Sequence, residues 1–299
     1  MKLRMLLLFI AVLILIGGAL AWPHIRYRMI STDYSLPSGA ARPLVVGHRG
    51  AGGVAPENTL AAFQAGMQSA ELIELDVHLS KDGAVIVAHD ADADRTTNGI
   101  GSWSDMTLEE IQKLDAGSWF DSRFAGQKIP TLSEVLAMVR GERTVLIELK
   151  WPNDGIYESL VAEVVRIIKE HQAESWTIVQ SFERRYLREL EQTAPDIRRF
   201  QLVYGALNFP PLWKDRSFHV GYFRPETGVE GVGFYYPYLS EGLVKSLHTQ
   251  RMKVGAYTVN DMDDVNRLMS LGADLIITDY PDRLRAHLKE WFQRSNFSE

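Results

Sequence analysis

The feature that most constrains this chain is a regular alternation of short apolar runs with segments of helical periodicity. Nine runs have the length and composition of β-strands. They are Leu44–Val46, Leu72–Leu79, Val85–Ala88, Thr144–Leu149, Trp176–Gln180, Phe200–Tyr204, Val232–Tyr236, Lys253–Val259 and Leu275–Thr278. Most of the segments between them place apolar residues at helical spacing. These segments are Leu60–Ala70, Leu132–Arg140, Tyr157–His171, Arg184–Gln192, Glu241–Gln250, Asp263–Leu271 and Asp282–Phe292. Because strand and helix alternate, the sequence predicts a parallel sheet covered by helices.

The number of these units favours a closed barrel. About eight strand–helix units in about 255 residues match a (β/α)8 TIM barrel better than an open sheet. An open doubly wound sheet is the alternative, but the first strand is followed by GHRGAGG, which lacks the glycine spacing of a dinucleotide site. We therefore predict an α/β fold, a TIM barrel over residues 43–295. A polar, turn-rich stretch at residues 90–130 predicts a small insertion after an early strand, on the active-site face.

The N-terminal segment has the composition of a membrane-spanning helix. Lys2 and Arg4 precede Met5–Trp22, a run without charged residues. About 18 residues at ~1.5 Å each extend ~27 Å, close to the ~30 Å of the hydrocarbon core of a bilayer. Residues 1–30 therefore predict a retained single-pass anchor, although Ala19–Ala21 also fits the cleavage site of a signal peptide. Either interpretation exports the main domain, so we expect it on the outer, periplasmic or extracytoplasmic side, or secreted if the segment is cleaved.

Composition removes several classes of function. The net charge of −6 is opposite to the basic footprint of a nucleic-acid-binding protein, so we expect no nucleic-acid partner. The chain contains no cysteine. This excludes disulfides, thiol nucleophiles and thiolate metal sites. A metal site in this chain must therefore use oxygen or imidazole ligands.

Three carboxylates fall on the strand faces that should line the barrel. Glu74 and Asp76 alternate with apolar residues in Leu72–Leu79, and Glu148 does so in the next long strand. The outer face of a barrel strand packs on helices, so the polar face points into the barrel mouth. Converging carboxylates repel one another and are costly to desolvate, and a divalent cation with oxygen ligands resolves that conflict. The sequence thus predicts one Mg²⁺ or Ca²⁺ site on these carboxylates.

Two histidines and two cations complete the predicted site. His48 ends the first strand and His89 ends Val85–Ala88, which we interpret as the same end of strands that flank the carboxylates. Imidazole titrates near neutral pH, so the pair suits a general base and a general acid. Arg49 and Lys150 add positive charge that can hold a phosphate group. The set indicates metal-assisted phosphoryl chemistry.

The motifs along the chain resemble those of one known family. In chain order they are HRG, PENT, ELDVHLSKDG, VAHD with DRTTNG, LDAGSWF, IELK, TVN and TDYP. Together, from about residue 45 to residue 281, they resemble the glycerophosphodiester phosphodiesterase family. The resemblance implies a TIM barrel with a small insertion and one divalent cation, Ca²⁺ or Mg²⁺. It also implies hydrolysis of a glycerophosphodiester to glycerol 3-phosphate and an alcohol.

The resemblance also implies roles for individual residues of this chain. The metal carboxylates correspond to Glu74, Asp76 and Glu148, the catalytic histidines to His48 and His89, and the phosphate contacts to Arg49 and Lys150. Glu57 of PENT is expected beside the metal, and Tyr257 stands where relatives often carry tryptophan before TVN. Our hypothesis for the mechanism is that His48 takes a proton from the glycerol hydroxyl beside the phosphodiester and that His89 protonates the departing alcohol. A cyclic phosphate forms, and water then opens it.

Two other functions remain open from the sequence. The residues from Asn208 to Pro237 are dense in aromatic side chains and proline. We interpret them as an irregular loop packed on the barrel. The alternative is a lipid-contacting lip, which would favour a lysophospholipase D that acts on membrane lysophospholipids. A membrane-tethered module that binds a phosphodiester without cleaving it is the alternative of another class, but it would not need both His48 and His89.

Overall fold

The computed structural model describes residues 42–208 and 210–295, which form twelve strands and eight α-helices. The strands are β1 (Leu44–Gly47), β2 (Leu72–Leu79), β3 (Val85–Val87), β4 (Thr144–Leu149), β5 (Thr177–Ser181), β6 (Arg198–Val203), β7 (Gly205–Asn208), β8 (Pro211–Lys214), β9 (Phe218–Val220), β10 (Gly231–Tyr235), β11 (Lys253–Tyr257) and β12 (Leu275–Thr278). The helices are α1 (Leu60–Met67), α2 (Leu108–Ile111), α3 (Leu132–Val139), α4 (Leu160–Glu170), α5 (Arg184–Thr193), α6 (Glu241–Thr249), α7 (Met262–Leu271) and α8 (Pro281–Ser295).

Eight of the strands within these described ranges form a closed parallel barrel. Around the ring the order is β1, β12, β11, β10, β6, β5, β4 and β2, and β2 pairs with β1 to close it. Each neighbouring pair runs parallel, as where Val46 of β1 lies beside Ile277 of β12. The predicted TIM barrel is therefore confirmed, and the open doubly wound sheet is excluded by the β1–β2 pairing.

Alternation along the strands separates an outer layer of side chains from an inner one. On β2, Ile73 and Leu75 pack in the main core, between the barrel and its helices. Leu72 belongs to a second apolar cluster, which fills the interior at the amino ends of the strands. The other buried members of this inner cluster are Val46, Leu146, Ile178, Phe200, Leu275 and Ile277. The side chains two residues beyond Leu72 and Leu146 therefore lie above this inner cluster. They lie towards the carboxyl ends of the strands, where active sites of this fold are found.

Helix boundaries follow recognisable capping residues. The Thr59 hydroxyl accepts the backbone N–H of Ala62 at the start of α1. Thr131 and Glu134 form a reciprocal capping box at the start of α3. Helix α7 ends at Gly272, whose left-handed φ of 86° suits glycine. Local sequence thus fixes where these helices begin and end.

One predicted strand has a different role from the others. Val85–Ala88 was expected among the parallel strands, but β3 runs antiparallel to β2, with Val77 opposite Val87. The turn between them is too short for a crossover helix, which a parallel pair requires. The prediction that His89 lies at the carboxyl end of a parallel strand is therefore wrong. His89 reaches the barrel mouth because β3 returns alongside β2, where the Ala88 N–H donates to the Asp76 carbonyl at 3.0 Å.

The predicted insertion lies between β3 and α3 and has a small core of its own. Trp103 and Ile111 are fully buried at its centre. The other buried members of that cluster are Ile86, Ala88, Ala93, Ala116 and Ile129. Trp103 Nε1 donates to the Asp90 carbonyl at 2.8 Å, which ties the insertion to the residue after His89.

The aromatic segment between residues 208 and 237 is more regular than expected. We predicted an irregular loop, but within the described part of the chain β7, β8 and β9 form a three-stranded antiparallel sheet. Trp213 of this sheet packs in the main core. The strands have only three or four residues each, too few to show a clear alternation in the sequence.

The predicted membrane anchor at residues 1–30 lies outside the described residues. Within residues 42–208 and 210–295, no helix is both long enough and apolar enough to cross a membrane.

The turn after β1 is held tightly against α1. Arg49 and Gly50 have positive φ angles of 51° and 88°. A Cβ at Gly50 would lie 2.5 Å from the backbone carbon of Ala62, inside the first turns of α1. The tight fit fixes the turn that carries His48 and Arg49 at the barrel mouth.

We expect Gly50→Ala to destabilise the fold far more than Gly83→Ala. Both positions have a positive φ, 88° and 82°, so each alanine meets similar backbone strain of about 1 kcal/mol. A Cβ at Gly83 has nothing within 4 Å, whereas one at Gly50 collides with backbone and should cost about 1–3 kcal/mol more. Urea unfolding of both variants measures the difference. If the free energy of unfolding falls equally in the two variants, the turn at Gly50 can accommodate a Cβ without a packing cost.

Candidate active site

The three predicted metal-ligand carboxylates lie together at the mouth of the barrel. Glu74 and Asp76 project from β2 and Glu148 from β4, where Asp76 and Glu148 are register partners. One oxygen of each carboxylate lies within 4.8 Å of the others. The residues are only 2%, 1% and 7% exposed, respectively. Carboxylate oxygens at this spacing are the hard ligands that Ca²⁺ and Mg²⁺ take, so the donor set could hold a divalent cation.

The pKa values of the cluster reflect the repulsion between these groups. Burial, followed by the charges of Asp76 and Glu148, raises the pKa of Glu74 well above its usual 4.5. Burial acts in the same direction on Asp76, but Lys150 and the other nearby cations outweigh it. They hold the pKa of Asp76 below its usual 3.8. Without a further cation, Glu74 is the carboxylate whose charge the site compensates least.

Both predicted phosphate-binding cations contact the carboxylates. Lys150 Nζ donates to Glu148 Oε1 at 2.9 Å and lies 3.4 Å from Asp76 Oδ1. Arg49 Nη1 donates to Glu57 Oε1 at 2.6 Å, and its Nε lies 3.6 Å from Asp76 Oδ2. Within the described residues, this buried Nε–H donates no hydrogen bond. A buried guanidinium N–H that lacks an acceptor suits an anionic ligand.

Glu57 bridges Arg49 to a second arginine, Arg95, which was not predicted as a site residue from the sequence. The two terminal nitrogens of Arg95 donate to the Glu57 carboxylate at 2.8 and 2.7 Å. Burial raises the pKa of Glu57, but the Arg95 hydrogen bonds and the Arg49 charge outweigh it and lower that pKa. Glu57 is thus joined to the three-carboxylate group through Arg49 and does not belong to it. Arg95 lies in DRTTNG, an irregular stretch that offers no periodicity from which to predict its position.

His48 is oriented by a carboxylate from the other end of the chain. Its Nδ1 lies 2.6 Å from Asp279 Oδ1, and Asn260 Nδ2 donates to the other oxygen of Asp279 at 2.6 Å. Burial raises the pKa of Asp279, but the hydrogen bond with His48 outweighs it and lowers that pKa. The sequence signal for Asp279 was its place in TDYP, directly after β12, the barrel neighbour of β1.

His89 has a carboxylate partner in the next residue. Its Nδ1 lies 2.7 Å from Asp90 Oδ1, and Arg95 Nε donates to Asp90 Oδ2 at 2.5 Å. The hydrogen bond with His89 is the main cause of a lowered pKa for Asp90, so this carboxylate stays ionised. In both His48 and His89 a carboxylate occupies Nδ1, which leaves Nε2 to exchange protons.

His78, which we left out of the predicted site, lies in the wall of the same cavity. Its Nε2 is 3.1 Å from the His89 carbonyl and its Nδ1 is 3.1 Å from the Tyr157 hydroxyl. Burial lowers the pKa of His78 to about 4, so it is neutral near pH 7. With both nitrogens engaged, His78 supports the backbone of His89.

One cavity of about 520 Å³ at the carboxyl end of the barrel is bordered by His48, Arg49, His89, Glu148 and Lys150. Tyr257 lines it, as the sequence predicted, and donates its hydroxyl to the Val203 carbonyl at 2.9 Å. Phe182 contacts the Tyr257 ring edge-on, with 6.0 Å between ring centroids, and stacks on Tyr204 with 4.6 Å between centroids. One side of the cavity is therefore charged, and the opposite side is aromatic.

A phosphoric ester needs such surroundings, because its cleavage moves protons and builds negative charge on phosphoryl oxygens. Two carboxylate-bound imidazoles and two cations beside an acidic cluster meet both needs at the end of a TIM barrel where catalysis is expected. Fold and site thus define a hydrolase that acts on phosphoric esters.

Comparison with known proteins specifies the family. The model of the glycerophosphoryl diester phosphodiesterase family matches residues 48–283. The chain therefore belongs to this family, and the predicted resemblance and enzyme class are confirmed. A glycerophosphodiester phosphodiesterase from Caldanaerobacter subterraneus subsp. tengcongensis is 37% identical over 245 residues, which are 81% of this chain and 96% of that protein.

Solved structures agree with this assignment. A phosphodiesterase from Oleispira antarctica, in complex with the product sn-glycerol-3-phosphate, is 29% identical with a TM-score of 0.72. The match covers 83% of this chain and 97% of that one. A glycerophosphodiester phosphodiesterase from Agrobacterium tumefaciens is 30% identical with a TM-score of 0.66, over 82% of this chain and 99% of that one.

We expect metal-free Glu74→Gln protein to be more stable than the metal-free parent above neutral pH. The folded state raises the pKa of Glu74, so its stabilising contribution is complete below pH 4.5 and is lost as pH rises through the folded pKa. Near pH 8 the variant should melt roughly 2–4 °C higher, equivalent to about 1 kcal/mol. The difference should shrink towards pH 5, as a thermal melt series at about unit pH steps would measure.

The same melts with added cation provide the control. Ca²⁺ or Mg²⁺ should raise the melting temperature of the parent, because ligand binding stabilises the folded state. It should do so much less in Glu74→Gln, which lacks one carboxylate ligand. A parent chain whose melting temperature does not respond to either cation would argue against a metal site here.

Proposed function

We propose that this chain hydrolyses glycerophosphodiesters to glycerol 3-phosphate and an alcohol, with a divalent cation and His48/His89 acid–base catalysis. The observation that carries the proposal is that two imidazoles, each with Nδ1 bound to a carboxylate, border one cavity with Glu148 of the carboxylate cluster. A single imidazole would suffice for binding. An acid and a base together are what the cleavage of an ester requires.

The charges of the site support a phosphodiester as the ligand. Arg95 pairs with both Glu57 and Asp90, and Arg49 and Lys150 lie beside the three clustered carboxylates. With the three carboxylates ionised, these five groups carry one net negative charge, which a divalent cation would change to one net positive charge. A bound cation would therefore favour the binding of a phosphodiester monoanion.

The clustered carboxylates Glu74, Asp76 and Glu148 would hold that cation, Ca²⁺ or Mg²⁺. When bound, it supplies Lewis-acid stabilisation of charge on the phosphoryl oxygens. Arg49 and Lys150 bind the same oxygens from the protein side, and the free Nε–H of Arg49 supplies one hydrogen bond.

His48 acts as the general base on the glycerol side. Asp279 holds the proton on Nδ1, so Nε2 is available to take the proton of the hydroxyl beside the phosphodiester. That oxygen attacks phosphorus and forms a cyclic phosphate. The carboxylate of Asp279 stabilises the imidazolium that results.

His89 acts as the general acid on the other side. Its Nδ1 lies 2.7 Å from Asp90 Oδ1, and Nε2 gives a proton to the oxygen of the departing alcohol. Arg95 fixes Asp90 and Glu57 together, so the acid and the phosphate-binding Arg49 share one support. Water then opens the cyclic phosphate with the two imidazoles in exchanged roles, which yields glycerol 3-phosphate.

We expect His48→Ala and His89→Ala each to lower kcat on glycerophosphocholine by about 10²–10⁴-fold. His248→Ala is the matched control, because His248 also pairs with an aspartate, Asp274, at 2.9 Å but does not line the catalytic cavity. Choline release in the presence of Mg²⁺ or Ca²⁺ measures all three variants. Near-full kcat in both His48→Ala and His89→Ala would rule out this mechanism.

For residues 1–30 we propose a retained anchor that holds the barrel on the outer side of a membrane. The uncharged run Met5–Trp22 between basic flanks supports this. After expression of the full-length chain in bacteria, we expect it to remain in the membrane fraction after an alkaline wash. External protease should digest the barrel in spheroplasts. A soluble product that begins after Ala21 would instead indicate cleavage and secretion.

A further inference from the structure

The small sheet β7–β9 has an apolar face opposite to the one that packs in the main core. Ala206 and Trp213 lie on the face that packs against the main core. Register pairing places the alternate residues on the other face. The residues of this outer face are Gly205, Leu207, Leu212, Lys214, Phe218 and Val220. An antiparallel sheet with one packed face usually presents polar side chains on the other, and this one presents mostly apolar side chains.

Several of the apolar side chains at this end of the molecule are open to solvent. Phe218 is 66% exposed, Val220 is 90% exposed, and Tyr222, just beyond β9, is 68% exposed. Single exposed apolar residues are ordinary on protein surfaces. A cluster of them beside a cavity marks a site that receives an apolar ligand.

The outer face forms one wall of a second cavity, of about 550 Å³. Its volume is within the ~300–1,000 Å³ of small-molecule sites. We call it the apolar groove, and it is lined chiefly by Tyr204, Leu207, Leu212, Phe218, Tyr235 and Tyr238. Two of these residues, Tyr204 and Tyr235, also line the catalytic cavity, so the two cavities lie side by side.

The lining of the apolar groove suits hydrocarbon and not a charged headgroup. Lys214 is the charged residue of its lining, and its Nζ lies 5.0 Å from the ring centre of Tyr204 and 4.9 Å from that of Phe218. The ammonium therefore already lies over two aromatic faces. The rest of the lining offers aliphatic carbon and aromatic rings.

We propose that the apolar groove binds the acyl chain of a lysophospholipid whose phosphodiester occupies the catalytic cavity, an inference that rests on the proposed function. A 1-acyl glycerophosphodiester keeps its sn-2 hydroxyl next to the phosphodiester. The reaction can therefore follow the same steps. His48 takes the sn-2 proton, the sn-2 oxygen bonds to phosphorus, and the bond from phosphorus to the headgroup oxygen breaks as His89 protonates that oxygen. Water then opens the ring to a lysophosphatidic acid.

The same chemistry excludes diacyl phospholipids. Their sn-2 oxygen is esterified and has no proton to give, so the cyclic phosphate cannot form. A glycerophospholipid with a single acyl chain is thus the substrate that fits both the groove and the mechanism.

The experiment compares glycerophosphocholine with monomeric 1-acyl lysophosphatidylcholines that carry chains of about four to eight carbons. The full-length chain is placed in polymer-supported lipid discs with Mg²⁺ or Ca²⁺, and choline release is measured. We expect kcat/KM to rise about two- to fourfold for each added methylene, as the burial of hydrocarbon predicts. Diacyl phosphatidylcholine of the same chain lengths should release no choline.

Groove variants test where the chain binds. The double variant Leu207→Ser/Leu212→Ser should flatten the dependence on chain length and leave glycerophosphocholine turnover within about twofold of the parent. Phe218→Ser, at a side chain that is 66% exposed, provides a second groove variant that does not disturb the core. Ile100→Ser is the matched control, because Ile100 is an 83% exposed apolar residue of the insertion and should keep the full dependence.

The outcomes separate the two proposals. No turnover of glycerophosphocholine by the parent with either cation would overturn the proposed function. Normal glycerophosphocholine turnover with a flat chain-length profile would overturn the acyl site alone. A steep profile that survives both groove variants would also overturn it, since the chain would then bind elsewhere.

Discussion

Three carboxylates held close together out of water are the constraint on which the rest of this site depends. Glu74, Asp76 and Glu148 are brought together by the pairing of β2 with β4, and the inner apolar cluster fills the barrel beneath them. Like charges at this separation oppose folding unless they are compensated. Lys150 and Arg49 supply part of that compensation. What remains favours a divalent cation and, after it, an anionic substrate, so one electrostatic imbalance would account for both of the proposed ligands.

The two histidines share a design but are supported differently. Each imidazole gives Nδ1 to an aspartate, which leaves Nε2 for the reaction. Asp279 is held by Asn260 within the barrel, whereas Asp90 is held by Arg95 from the insertion. The insertion therefore supports the proposed acid, His89, and the barrel supports the proposed base, His48.

Much of this arrangement could be predicted from the sequence, where local pattern decides it. The two-residue period of a strand was enough to place Glu74 and Glu148 above the apolar interior. His89 lines the cavity, but it was expected at the end of a parallel strand, because the sequence of a three-residue β3 does not show in which direction the strand runs. Arg95 could not be predicted, because its position depends on the packing of an irregular insertion. The small sheet β7–β9 was missed because its strands are too short for alternation to be visible.

The antiparallel return of β3 also bears on how the site assembles during folding. Glu74, Asp76 and His89 belong to one hairpin, so their contacts close short loops and can form early. The hydrogen bond between His48 and Asp279 joins residues 231 positions apart and requires the last strand to meet the first. The entropic cost of closing this long loop is offset by strand contacts only when the ring is complete. On the proposed mechanism, the base thus gains its aspartate partner only when the ring closes, whereas the contacts around the acid are local in the sequence.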